Sequence, residues 1–212
     1  VPGARRELAA RFPGASIDAN HQFETQARKV MHARGAMGWP LAPSSCGSGI
    51  KLGQIDSGVD TTHSALNGQR VKFRSFHAKG ARPGPKIHGT AVAAMLVGKS
   101  KWGGLLPGAT LFVGNIFEKR SNGKLRGNLS AMIKALDWLV KQRVTVVNLS
   151  MAGSKNSILE FIIMKTLSQG MVVVAAAGNG GPKAKPAYPA AIPRVIAVTA
   201  IDRRLAAYRY AN

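Results

Sequence analysis

The stretch "VTVVNLSMAGSKNSILEFIIMKTLSQGMVVVAAAGNGG", Val144 to Gly181, decides the fold. Residues 144–149 and 171–176 are short, near-continuous apolar runs rich in β-branched side chains. Such runs suit strands buried on both faces. Between them, over 157–169, Leu159, Ile162, Ile163 and Thr166 recur at helical spacing, and Gly170 supplies a stop. A strand, a helix and a second strand, each linked by a few turn-forming residues, make a crossover unit whose strands run parallel.

Working outward, the same grammar repeats. Further strands are expected at 50–55, 110–116 and 195–200, and further helices at 89–97 and 129–141. In the latter helix Leu129, Met132, Ile133, Leu136 and Val140 share a face. The expected fold is α/β: a doubly wound, mostly parallel sheet with helices on both faces. Right-handed crossovers then bring every strand's C-terminal end to one edge, where sites in such sheets lie.

Three strand exits carry chemistry. The run "IKLGQID" ends in Asp56-Ser57-Gly58, the opening strand ends in Ser150-Met151-Ala152-Gly153, and the next in Ala177-Gly178-Asn179-Gly180-Gly181. A further element, His88-Gly89-Thr90, opens the helix "AVAAMLVG". Singly, each has an ordinary alternative: a carboxylate before Ser-Gly organises a turn, and a histidine before Gly-Thr sits at a helix start. Together they read differently. A buried carboxylate fixes the tautomer of an imidazole and stabilises its charged form. The imidazole is then a general base near neutral pH. A side-chain amide at a glycine-rich exit donates to an oxyanion.

The segments "IDSGVDTTHSAL", "HGTAVAAMLVG", "VVNLSMAG" and "VVVAAAGNGGP" resemble, in order, the motifs of the subtilisin-like serine peptidases. The intervals from 56 to 88 and from 88 to 179 are close to the family's, and the similarity runs from about residue 50 to the end. The resemblance implies a subtilisin-like fold and a serine endopeptidase. It assigns Asp56 to orient His88, and His88 to take the proton from a serine and return it to the leaving amine. Asn179 would donate to the oxyanion. Ser150, Met151, Ala152 and Gly153 on one side, with Ala176, Ala177 and Gly178 on the other, would wall the first substrate pocket. Leu125, within Gly123 to Arg126, would lie on the edge strand that pairs with extended substrate.

The family's nucleophile stands in a Gly-Thr-Ser motif well downstream of the oxyanion asparagine, and no such motif occurs here. Ser57 and Ser150 hold turn and pocket positions and do not replace it. The expectation is a chain cut short before the serine and so inactive by itself. The competing class is a basic binding protein on the same scaffold, catalytically dead.

Residues 1–24 resemble the last helix and strand of an inhibitory prodomain, so the enzyme's own prodomain is an expected partner besides protein or peptide substrates. Residues 25–48 read as linker, and 49–212 as an incomplete peptidase domain. No charged-then-apolar signal segment follows Val1, and the resemblance alone suggests a secreted or periplasmic protein. No run approaches the length of a membrane span.

Thirty Lys and Arg against nine Asp and Glu leave a net charge of +21. The basic residues are spread along the chain, and no basic-aromatic stretch of the kind that stacks bases occurs, so nucleic acid is not an expected partner. Lys124 and Arg126 at the groove edge raise instead a preference for acidic substrates. Met151, Ala152 and alanines 175–177 suggest an apolar first pocket. The single Cys46 excludes an internal disulfide. His63 and His77 match no zinc spacing, and no HExxH occurs. With nine acids, and a short link from the His88 helix to Pro107, the stabilising calcium loop of many relatives is not expected. No cofactor is assigned.

Overall fold

The computed structural model describes residues 38–77, 80–119, 125–127, 129–185, 187–202 and 205–212. The expected prodomain segment, 1–24, and most of the linker lie outside the described residues.

Six parallel strands form the central sheet: β1 (Lys51–Asp56), β2 (Val71–Ser75), β4 (Thr110–Asn115), β7 (Val146–Leu149), β8 (Val172–Ala176) and β9 (Ile196–Val198). Their order is β2-β4-β1-β7-β8-β9. Two short strands, β3 (Arg82–Pro83) and β5 (Phe117–Lys119), join β6 (Leu125–Gly127) in a small antiparallel sheet. Among the described residues three α-helices complete the frame: α1 (Ile87–Val97), α2 (Leu129–Lys141) and α3 (Ser157–Ser168). The strands and helices expected from residue 50 onward are present, with ends shifted by a residue or two. The α/β, doubly wound reading holds.

Strand alternation sorts the core into two layers. On one face Leu52, Leu111 and Val113 meet Ala93, Ala94 and Val97 of α1. On the other, Ile55, Phe112, Leu149 and Val173 meet α2 and α3 through Ala135, Leu136, Leu139 and Ile163. Successive residues of one strand thus serve opposite helices, as a period of two dictates. Each large aliphatic side chain taken fully from water stabilises the fold by about 1.5–3 kcal/mol.

Two sequence expectations shift. The side of α2 that is fully buried is Ala131, Met132, Ala135, Leu136 and Leu139, while Leu129 and Val140 are only partly covered. The small alanines let the helix approach the sheet, and Gly114 of β4 faces Ala135 with space for no side chain: a Cβ there would lie 3.0 Å from the Ala135 Cβ. Strand β2, which no sequence pattern announced, is an edge strand whose residues are mostly exposed, so its composition carries no core signature.

The chain moves from β1 outward to β2 and β4, then crosses through α2 to β7 on the other side of β1. The order of winding therefore reverses at β1, and the crevice beyond its C-terminal end is the place for a site. Among the described residues no helix is long and apolar enough to cross a membrane.

Candidate active site

Register brings the strand exits level. Ile55 stands opposite Leu149, and Leu149 opposite Ala175. One step further up, Asp56, Ser150 and Ala176 leave the sheet at one edge. With strands about 4.8 Å apart, the exits of β1, β7 and β8 span about 10 Å.

Asp56 ends β1 and is 2% exposed. Its Oδ1 accepts from the Ser57 backbone N–H at 2.6 Å and lies 2.7 Å from His88 Nδ1. The His88 side chain is 36% exposed. An ionised carboxylate only accepts, so Nδ1 carries the proton and the lone pair of the neutral ring falls on Nε2. That tautomer suits a base that works through Nε2. The carboxylate also stabilises the positive charge the ring acquires when it takes a proton. Asp56 Oδ2 is buried with no hydrogen-bond partner among the described residues.

The sequence His88-Gly89-Thr90 has a separate physical reason at each position. His88 carries the ring. A Cβ on Gly89 would lie 2.6 Å from the Gly58 carbonyl oxygen and 2.7 Å from that of Ser57, so only glycine lets α1 come this close to the β1 exit. The Thr90 hydroxyl donates to the Lys86 carbonyl at 2.7 Å and accepts from the Asp60 N–H at 2.8 Å, tying the helix start to the following loop. Lys86, the residue before the helix, makes no side-chain cap bond of its own. Asp60 organises that loop in turn: the Thr62 hydroxyl and then its N–H, both bonded to the carboxylate, hold Asp60 below its ordinary value of 3.8.

The two serines near the site are occupied structurally. Ser57 is buried, and its Oγ accepts from the Gly89 N–H at 3.1 Å. Ser150 Oγ accepts from Asn148 Nδ2 at 2.6 Å. Ser150, Met151 and Ala152 are half-buried and Gly153 is exposed. Gly153 exchanges two backbone hydrogen bonds with Tyr188, at 2.9 and 3.0 Å, which anchors this wall. On the neighbouring exit Ala176 and Ala177 are half-buried and Gly178 is buried, and the Ala177 N–H bonds to the Val198 carbonyl at 2.9 Å.

Asn179 follows on the same loop and is half-buried. The loop's shape depends on a residue that no motif pointed to, Asn212. Its Oδ1 accepts from the Gly180 N–H at 2.8 Å, and its Nδ2 donates to the Lys185 carbonyl at 3.2 Å. Gly178 has φ +119°, and a Cβ there would lie 2.8 Å from Asn212 Nδ2. Leu125 lies on β6 of the small sheet, paired with β5, which begins two residues beyond β4. Gln54 and Asn212 are residues near the site that motif reading passed over. A polar residue inside an apolar strand was the available signal for Gln54.

Among the described residues no three His, Cys, Asp or Glu side chains gather as metal ligands would. His63 is engaged locally: its Nδ1 accepts from the Ala65 N–H at 3.2 Å, and its ring lies 5.9 Å from that of Trp102.

With this geometry in place, comparison with known families is decisive: residues 47–212 match the model of the subtilase family of peptidases. The chain belongs to the subtilase family. Subtilisin amylosacchariticus of Bacillus subtilis subsp. amylosacchariticus is 29% identical over 209 residues, covering 94% of this chain and 54% of that protein. Subtilisin of Bacillus pumilus is 31% identical over 164 residues, covering 74% of this chain and 58% of its own length. This subtilase chain thus spans about half the length of the curated relatives it matches. Among solved structures, the self-cleaved protease domain of PatA superposes with a TM-score of 0.67 at 24% identity, covering 79% of this chain and 63% of that one. The prenylagaramide maturation protease PagA superposes with a TM-score of 0.65 at 21% identity, covering 86% and 63%. These likenesses carry the fold.

Proposed function

We propose that the protein is a serine endopeptidase in which Asp56 and His88 activate a serine supplied by sequence outside these 212 residues. The observation that carries this is the 2.7 Å contact between a buried carboxylate and a half-exposed imidazole at the sheet's switch point. His88 takes the proton of the serine hydroxyl as the oxygen attacks the peptide carbonyl, then delivers it to the leaving amine. Asp56 keeps Nδ1 protonated throughout and offsets the charge on the ring. Asn179 donates to the carbonyl oxygen as it becomes negative. The Ser150 to Gly153 and Ala176 to Gly178 segments wall the pocket for the side chain before the cut bond, and Leu125 lies on the strand that pairs with the substrate backbone. Without the serine, the 212-residue chain is expected to be inactive.

Three finer readings follow. Residues 1–24 act as the end of an inhibitory prodomain, with 25–48 as linker and 49–212 as the peptidase domain. The protein works outside the cytoplasm, a proposal in keeping with a relative named the minor extracellular protease Epr of Bacillus subtilis, 30% identical over 165 residues, which cover 74% of this chain and 24% of that protein. Acidic substrates are favoured. In support, Arg82 and Lys119 stand directly opposite in the small antiparallel sheet, both exposed. Like charges so placed repel, a cost that an anionic partner removes.

A serine-directed fluorophosphonate tests the central reading. The 212-residue chain is expected to stay unlabelled, and the protein extended through a Gly-Thr-Ser segment to be labelled in a His88-dependent manner. Labelling of the short chain, or of an extended His88→Ala variant at the unaltered rate, rejects it.

A further inference from the structure

Gln54 precedes Asp56 by two residues on β1, so both side chains rise from the same face of the sheet toward α1. Leu52, on that same face, packs into the apolar layer under α1. At Gln54 the strand instead buries an amide completely. Such a group is costly to bury unless its hydrogen bonds are made. Only half of it is compensated: Nε2 donates to the Gly89 carbonyl at 2.9 Å, while Oε1 is buried with no partner among the described residues.

The accepting residue is the one that follows His88. Gly89 is held on every side by the β1 exit. Its carbonyl takes Gln54, its N–H goes to Ser57 Oγ, and the Ser57 and Gly58 carbonyls fill the space a Cβ would need. The other directional ties of α1 lie elsewhere: the Asp60 N–H bonds to Thr90 Oγ at 2.8 Å, and at the far end the Met95 and Leu96 carbonyls accept from the Leu105 and Leu106 N–H groups at 2.9 and 2.8 Å. The residues α1 buries are Gly89, Thr90, Ala93, Ala94 and Val97, a shallow surface of small side chains. Apolar contact is non-directional, so this surface does not by itself set the orientation of the first turn. A hydrogen bond has a required length and angle.

We propose that Gln54 is a positioning residue: its amide latches the first turn of α1 in the register that sets His88 Nδ1 against Asp56, at the expense of an uncompensated carbonyl in the core. The inference takes its functional meaning from the reading of Asp56 and His88 as a catalytic pair. Its test needs no turnover, so the two can fail separately.

The test uses the full 212-residue chain with 15N-labelled histidine. The readouts are the downfield Nδ1–H resonance of His88, its titration midpoint and the thermal midpoint, with Asp56→Asn as the reference for a lost contact. Gln54→Leu removes the donor and the orphaned carbonyl together at similar volume. It is expected to keep or raise the thermal midpoint. The His88 resonance should broaden or vanish, and its titration should move at least halfway to that of Asp56→Asn. Gln54→Met, unbranched and adaptable in a core, is expected to behave alike and serves if the leucine does not pack. Folded variants with an unaltered resonance and titration overturn the latch. Loss of folding in both overturns it as well, because Gln54 is then a residue of stability. If the latch signature appears but the extended protein hydrolyses nothing, the latch stands and the peptidase reading falls.

Discussion

Asp56 Oδ1 serves two donors, the Ser57 N–H and the ring of His88, and the geometry leaves little slack between them. Asp56→Asn presents an amide where the ring needs an acceptor and favours the wrong tautomer. In the extended protein its turnover is expected to fall about 10⁴-fold with the fold intact, measured as kcat against a circular dichroism spectrum. For Asn179→Ala the expected fall is about 10²- to 10³-fold, the loss established for such an amide in subtilisin. Asp60 is a separate case. Its carboxyl is held below the ordinary value of 3.8 by Thr62, so its bonds stabilise the loop above that pH and are lost as pH drops through its own lower midpoint. Thr62→Val is expected to return the Asp60 midpoint toward 3.8 in an NMR titration. An unmoved midpoint would show that the hydroxyl bond is not the cause.

At the scale of elements, close approach and capping set the frame. Gly53 of β1 lies under α2: a Cβ would come 2.9 Å from Leu139 Cδ1 and 3.1 Å from Val144 and Val147 methyls. Gly53→Ala is expected to overpack this layer and cost about 1–3 kcal/mol in denaturant unfolding. Helix α3 is capped at its start by Asn156, whose Oδ1 accepts from the Leu159 N–H at 3.0 Å. Asn156→Ala is expected to cost about 1 kcal/mol without altering the His88 signals, since α3 packs on the sheet face opposite α1. Most elements were legible in the sequence because they are buried on a regular period. The exceptions have physical reasons. Strand β2 is exposed at an edge, and β3 and β5, of two and three residues, are too short to show a period.

Over the whole molecule, a net charge of +21 makes self-repulsion the main long-range electrostatic force. Raising salt from about 0.01 M to about 0.15 M shortens the Debye length from about 30 Å to about 8 Å. The thermal midpoint is expected to rise across this range, and a falling midpoint would mean that attractive pairs dominate. The same field bears on specificity. In the extended protein, matched acidic peptides are expected to be cut faster than basic ones at low salt, with the gap closing as salt rises. Equal rates at low salt reject the acidic preference.

The alternation of apolar strands with amphipathic helices was enough to establish a parallel α/β sheet, and the ordered motifs around Asp56, His88 and Asn179 were enough to name the family. Both are local patterns, written in spacing and residue type. The latch from Gln54 to Gly89 and the clasp of Asn212 on the loop bearing Asn179 came only from the tertiary structure. They join residues 35 and 32 positions apart through single hydrogen bonds. Such bonds depend on how one element lies across another, and a hydrogen bond between distant residues leaves no period in the chain for a reader to find.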